Sequence, residues 1–219
     1  MLSIRCFTFN PFQENTYVLS SGEAAIIVDP GCYEAHERKE LDDYLAANGL
    51  KPFLLVNTHG HVDHVLGNDH VKSRYNLPLA IHSADVPVLK AVSVYASGYG
   101  FHGYRETEPD RNLTEGEVIT IGDTSCTILF LPGHAPGHTA LYFEKERKLI
   151  SGDVLFRESI GRTDLPGGNH QTLMDSITQK VFRLPDDVEV FPGHGPTTTI
   201  GHEKIHNPYC GGNGQMAWS

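Results

Sequence analysis

The chain has 219 residues, 39% apolar and 20% charged, an ordinary globular composition that reads as one domain over 1–219 and is neither disordered nor fibrous. It contains no apolar run of 18 residues, and Met1 to Asn15 (MLSIRCFTFNPFQEN) lacks the apolar stretch and small-residue cleavage site of a signal peptide, so a cytoplasmic protein without a membrane partner is expected. Lys and Arg number 17 against 27 Asp and Glu, and the net charge of −10 with no basic patch excludes nucleic acid as the expected partner.

Short apolar runs come first: Ile4 to Phe9, Thr16 to Leu19 and Ala25 to Val28, the last ending in the turn signal Asp29-Pro30-Gly31. They predict three strands of an antiparallel meander. Glu34 to Asn48 is charged, with Leu41, Tyr44 and Leu45 at helical intervals and Gly49 as a stop, which predicts a surface helix. Phe53 to Val56 and Leu79 to Ile81 are continuous apolar runs of the kind found in buried strands, and Val62 to Tyr75 between them reads as helical. The second half repeats this grammar, with strands near Val118 to Ile121, Cys126 to Leu131, Ala140 to Phe143, Leu149 to Ser151 and Val188 to Phe191, and a helix from Gln171 to Leu184. Two sheets packed face to face with helices outside are expected. Gly211 to Ser219 is Gly-rich and polar and reads as a frayed tail.

Cys6, Cys32, Cys126 and Cys210 are scattered, without a C-x-x-C pair, and read as free thiols of a reducing compartment, Cys32 and Cys126 being buried. The 13 histidines are the unusual number, and several cluster. Directly after the Phe53 strand comes Thr58-His59-Gly60-His61-Val62-Asp63-His64, with four side chains of the types that bind zinc, iron or manganese. His134, Asp153 and His194 each follow a predicted strand, and each is preceded by a glycine that lets the backbone turn sharply. Donors at strand ends are how a site is built on a rigid scaffold.

H-x-H-x-D-H followed by isolated His, Asp and His after strands resembles the metallo-β-lactamase superfamily, from about Phe12 to Pro208. The resemblance implies an α+β fold, a four-layer αββα sandwich, with two divalent metals at one edge of the sheets. By motif, His59, His61 and His134 would hold the first metal, Asp63, His64 and His194 the second, and Asp153 would bridge them. Zinc is the first expectation for such a mixed nitrogen and oxygen shell, and iron or manganese also suits it. Gly133-His134-x-x-Gly137-His138, the stretch Ser159 to Gly168, and Gly201-His202-Glu203-Lys204 before Asn207-Pro208 are similar to the short bacterial hydroxyacylglutathione hydrolases, the glyoxalase II branch. This implies hydrolysis of a small acyl thioester such as S-lactoylglutathione. Two metals sharing a water lower its pKa toward about 7 and supply the hydroxide, with Asp63 as proton acceptor as well as ligand and Asp153 organising both ions.

The longer glyoxalase II enzymes carry a helical C-terminal domain with basic residues for the glutathione carboxylates, which this sequence does not match. Pro196 and Asp164 stand where the family has tyrosines, whereas Arg162 occupies the position of its substrate-binding base. His138 is expected to support a ligand by a hydrogen bond, and Asp29 either to orient the donor loops or simply to form its turn. Val92 to Arg105, with Tyr95, Tyr99, Phe101 and Tyr104 between glycines, reads equally as an aromatic lid or as packing for core or a subunit contact. His36, His70, His82, His102, His170, His202 and His206 read as exposed or hydrogen-bonded. Competing functions are a mononuclear iron persulfide dioxygenase, using only the equivalents of His59, His134 and Asp153, a hydrolase of another ester or lactone, and a non-catalytic metal-binding protein. His138 and the complete donor set favour the two-metal hydrolase.

Overall fold

Strands β1 (Ser3–Phe9), β2 (Glu14–Ser21) and β3 (Ala24–Val28) form the expected antiparallel meander in this computed structural model, which describes residues 1–212. Helix α1 (Ala35–Ala47) is entered through a capping box in which Glu34 and Glu37 satisfy each other's backbone N–H, and it buries Leu41 and Leu45 on its inner face. It crosses over to β4 (Lys51–Val56), which pairs parallel to β3. Then come α2 (Val62–Val65), α3 (Asn68–Tyr75), β5 (Leu79–Ile81), α4 (Val86–Tyr95) and the short β6 (Arg111–Asn112). The first sheet runs β1-β2-β3-β4-β5-β6.

The second sheet is built from β7 (Val118–Ile121), β8 (Thr124–Phe130), β9 (Thr139–Phe143) and β10 (Lys148–Gly152), each antiparallel to the next. A small hairpin, β11 (Leu155–Phe156) and β12 (Ser159–Ile160), precedes α5 (His170–Gln179), which leads to β13 (Glu189–Pro192), parallel to β10. Strand β14 (Thr198–Thr199) and helix α6 (Ile200–His206) close the described chain, and the sheet order is β14-β13-β10-β9-β8-β7.

Side-chain alternation along the strands divides the apolar residues into three layers of core. Tyr17, Leu19, Ile26, Val28, Leu54 and Val56 meet Ile119, Ile121, Ile128, Leu141, Phe143 and Ile150 between the sheets. Val18, Ile27, Leu55 and Ile81 face the other way onto Leu41, Leu45, Val71 and Leu89 of the helices. On the far side, Ala140, Tyr142, Leu149 and Val190 pack on Leu173, Ile177 and Ile200. The result is the αββα sandwich. Among the described residues no helix is long and apolar enough to cross a membrane.

Three expectations change. Phe53 is 41% exposed rather than part of a buried run, because it falls at a bulge: Ala25 pairs with Pro52 and Ile26 with Leu54, so Phe53 is skipped. The helix expected over 62–75 is two helices, α2 and α3, divided at Leu66 and Gly67. The helix expected over 171–184 ends at Gln179 and gives way to a tight turn over Val181–Arg183. Of the tail expected to fray, Gly211 and Gly212 donate backbone hydrogen bonds to the carbonyls of Asn207 and Lys204 at the end of α6, and 213–219 lie outside the described residues. Helices α4 and α6 and the short strands β6, β11, β12 and β14 are further elements that the apolar runs did not announce.

The division at Gly67 has a steric cause. Its N–H donates to the Pro30 carbonyl at 2.7 Å, and a Cβ there would stand 2.5 Å from Cys32 Sγ and 2.7 Å from Pro30 O. Alanine is the better helix former by about 1 kcal/mol. Gly67→Ala is nevertheless expected to lower the thermal unfolding midpoint, and a higher midpoint would show that the close approach is unimportant.

Candidate metal centre

Strand direction decides where the donors meet. Strand β8 is antiparallel to β9, β9 to β10, and β10 parallel to β13, so β8, β10 and β13 all point the same way. The segments leaving them carry His134, Asp153 and His194 to one edge of the sandwich. The segment after β4 brings His59 and His61, and α2 brings Asp63 and His64, to that edge from the other sheet.

All seven predicted donors are brought together. His59, His61 and His134 form one group and Asp63, His64 and His194 another, the donor atoms of each lying within 4.8 Å of one another. Asp153 stands between the groups: its Oδ2 is 3.5 Å from His134 Nε2 and 3.6 Å from His194 Nε2, and its Oδ1 is 3.5 Å from His64 Nε2. Gly193 permits this approach, because a Cβ there would collide with Asp153 Oδ1 and His64. A third grouping, Asp29 with His59 and His64, is also close. There the carboxylate is already engaged, accepting from Thr58 N at 2.7 Å and Thr58 Oγ1 at 2.6 Å.

The imidazoles are oriented from behind. His134 Nδ1 faces the Arg162 carbonyl at 2.7 Å, and His194 Nδ1 faces the carbonyls of Phe12 and Gln13 at 3.1 and 3.2 Å. His59 Nδ1 lies 3.0 Å from Thr58 Oγ1, whose own proton goes to Asp29, and His64 Nδ1 lies 3.2 Å from Asp29 Oδ2. These acceptors place a proton on Nδ1 of each ring and turn Nε2 inward, where His194 Nε2 meets Asp63 Oδ2 at 3.1 Å. His61 is reversed, with Nδ1 inward.

This arrangement fits a cation. His134 Nε2 lies 2.9 Å from His61 Nδ1 and 3.3 Å from His59 Nε2, and between the two Nε2 atoms no proton remains to make a hydrogen bond. His64 Nε2 and Asp153 Oδ1 are buried without a hydrogen-bond partner. Converging lone pairs are repulsive unless a positive ion sits among them, and imidazole and carboxylate in this ratio suit a divalent transition metal.

The electrostatics separate the two groups. Burial and the neighbouring imidazoles hold His59 well below the ordinary histidine range, and burial lowers His61 to about 3 and His134 in the same direction. These rings are neutral donors at neutral pH. Burial also works against charge on His64 and His194, but the carboxylates of Asp153 and Asp63 outweigh it, raising His64 well above its usual value and His194 above it. The reciprocal attraction overcomes burial to lower Asp63 and Asp153.

His138 sits behind Asp153: its Nε2 accepts from the Asp153 backbone N–H at 3.0 Å, and its ring stacks on His59. Arg162 reaches the same edge, but its Nε and Nη2 donate to both carboxylate oxygens of Asp164 at 2.7 Å. His70 and His202 pair with Asp42 and Glu158, away from the donors. The aromatic segment divides its duties. Phe101 is buried against Tyr33, while Tyr95 and Tyr99 line the cleft beside the donors, Tyr99 edge-on to Phe12.

Sequence reasoning missed Asp85. It is fully buried, and its two oxygens accept from Gly60 N, in the first donor segment, and Gly137 N, beside the His134 segment, each at 2.6 Å. Burial, partly offset by these two N–H groups, raises its carboxyl to about 6. One side chain thus ties together donor segments from both sheets. The only available signal was an acid just before the apolar helix α4, which reads equally well as a helix start.

The comparisons with known proteins agree with this geometry. The Metallo-beta-lactamase superfamily pattern matches residues 9–194, and the chain belongs to that family. The probable metallo-hydrolase YqgX of Bacillus subtilis is 38% identical over 204 residues, covering 92% of this chain and 94% of the relative. The hydroxyacylglutathione hydrolase GloC of Haemophilus influenzae is 34% identical over 211 residues, covering 95% and 98%. Two solved structures, the BLEG-1 B3 metallo-beta-lactamase and TTHA1623 in a di-iron-bound form, are each 36% identical with a TM-score of 0.84; the first covers 96% of this chain and 100% of its own, the second 94% and 99%.

Asp85→Asn keeps the shape but turns one oxygen into an N–H donor facing another N–H, a loss of about 1–3 kcal/mol. The expected outcome is a thermal midpoint several degrees lower, at about 2–4 °C per kcal/mol for a chain of this size. An unchanged midpoint would show that the carboxylate does not tie the segments.

Proposed function

We propose that the chain is a binuclear metal-dependent hydrolase of small acyl thioesters, with S-lactoylglutathione as reference substrate. In this reading His59, His61 and His134 hold one divalent ion, Asp63, His64 and His194 a second, and Asp153 both. The observation that carries it is the pair of donor triads sharing Asp153 at the edge of an open cleft. GloC supports the thioester as the scissile group, since its hydroxyacylglutathione activity belongs to a relative matched over nearly its whole length. The second triad favours two metals over a mononuclear oxygenase. The donors suit zinc, iron or manganese, and the di-iron form of TTHA1623 keeps iron beside zinc.

When bound, the two ions supply Lewis acidity and activate water near neutral pH. The chain's own contribution follows from what lines the cleft. No cysteine does, and burial pushes Cys32, Cys126 and Cys210 to about 12 and Cys6 to about 11, so no thiolate is available as nucleophile. Water therefore attacks the carbonyl carbon: a C–O bond forms, the C–S bond breaks, and the products are a carboxylate, a thiol and a proton. Asp63, lining the cleft and held low by His64 and His194 against its burial, accepts that proton. A thiol of ordinary pKa, about 8.5, departs as thiolate without a protein acid. His138 and Asp85 position; they do not touch substrate.

Metal-loaded protein is expected to release thiol from S-lactoylglutathione and to lose that activity with a chelator; no release from any thioester would reject the reading. Asp153→Ala is expected to bind fewer than two metals per chain and to lower kcat/KM by about three orders of magnitude, the several kcal/mol of charge stabilisation such a site supplies. Two metals and an unchanged rate would remove the bridging role. Metal entry has a defined pH dependence. Because the carboxylates raise His64 and His194 in the metal-free chain, a metal must displace their protons, so affinity falls as pH falls through the raised values. Calorimetric titration in buffers of different ionisation enthalpy is expected to show net proton release, and zero release would contradict the assignment of His64 and His194.

A further inference from the structure

The cleft beside the donors has walls that the metal reading does not use. Its volume is about 1040 Å³, at the upper end for a small-molecule site. Val88, Ala91 and Tyr95 of α4 recur at helical spacing and present one apolar stripe to the cleft, while Leu89 and Val92 are buried in the core behind them. From Val88 to Tyr95 the stripe runs about 10 Å at about 1.5 Å per residue. Ile160, Leu165 and Pro166 also line it. Apolar side chains left open to water around a reactive centre mark a surface that a ligand covers.

The charges point the same way. Glutathione carries two carboxylates, yet Arg162 is the one Lys or Arg among the lining residues, and its guanidinium is held by Asp164. An anionic tripeptide would find no unpaired Lys or Arg among the lining residues.

The geometry points to a substrate whose thioester carries a bulky, uncharged apolar group, a medium-length alkyl chain or an aryl ring, laid along α4 against the Leu165–Pro166 wall. This inference rests on the hydrolase reading for the scissile bond and on the cleft for the group beside it.

Two measurements separate them. The first follows metal-loaded full-length protein on N-acetylcysteamine thioesters from acetyl to octanoyl, with S-lactoylglutathione alongside. Each methylene removed from water contributes about fourfold in kcat/KM, from about 0.8 kcal/mol, so a steady rise is expected, ending above S-lactoylglutathione. The second titrates the octyl thioether of N-acetylcysteamine, which cannot be hydrolysed, into metal-free protein. Saturable binding is expected, weakened by about tenfold or more in Ala91→Asp, which sets a charge on the apolar stripe. Ala91 is exposed on α4, so this variant leaves the core untouched. Thioether binding without turnover of any thioester would leave the apolar cleft standing and sink the hydrolase reading. Turnover with no chain-length trend, or without thioether binding, would overturn the apolar substrate while leaving a thioesterase. Self-association that covers the cleft and excludes the thioether would overturn it too.

Discussion

Imidazole nitrogens and carboxylate oxygens do not gather of their own accord. In this protein they stand about 3 to 4 Å apart, buried, and several have no hydrogen-bond partner. In a metal-free chain that concentration of lone pairs costs folding free energy, since buried polar atoms are otherwise satisfied. The fold has to supply the holding force, and much of the structure near this edge is explained by that requirement. His59, His64, His134 and His194 are fixed from behind through their other nitrogen, so their inward faces are set by carbonyls, Thr58 and Asp29 rather than by the ion.

The scaffold distributes this load over both sheets. The segments leaving β8, β10 and β13 meet the one after β4 and the helix α2, so the donors straddle the seam of the sandwich. Two buried carboxylates close the seam at their back. Asp29 holds Thr58 and faces His64, and Asp85 binds Gly60 and Gly137. Both accept N–H groups of segments that carry donors, which is why neither is spent on solvent. Of the two roles weighed for Asp29 from its sequence, the structure shows the orienting contacts.

The outer side of the same edge is of a different character. Polar groups converge at its floor, and the walls are apolar, from α4 on one side and the segment after β12 on the other. Tyr95 and Tyr99 belong to those walls, while Phe101 is buried and packs edge-on against Tyr33 and Phe12. Of the two readings of this aromatic segment, the packing one holds for Phe101, while Tyr95 and Tyr99 line the cleft, because a helix and its following turn present residues to different sides.

How much of this was legible in the residues depended on the range over which each feature is determined. Alternation, capping and turn signals are local, so the meander, α1 and most strands of the second sheet could be read directly. The donor set was legible because it is a motif of residue types at strand ends, and strand ends are visible as the close of apolar runs. The split of the 62–75 helix was hidden, since it arises where Gly67 meets Pro30 and Cys32 across the chain. The exposure of Phe53 depends on register with β3. Asp85 was equally hidden, because its partners lie 25 and 52 residues away. The pairing of Arg162 with Asp164 had a plain sequence neighbour, but only side-chain geometry shows the guanidinium occupied. The sequence by itself therefore determined the meander, α1, most strands of the second sheet and the family, for these rest on residue type and near spacing. The tertiary structure alone decided which nitrogens face inward, which carboxylates hold the segments and what wall the substrate meets, because those follow from contacts between residues far apart in the chain.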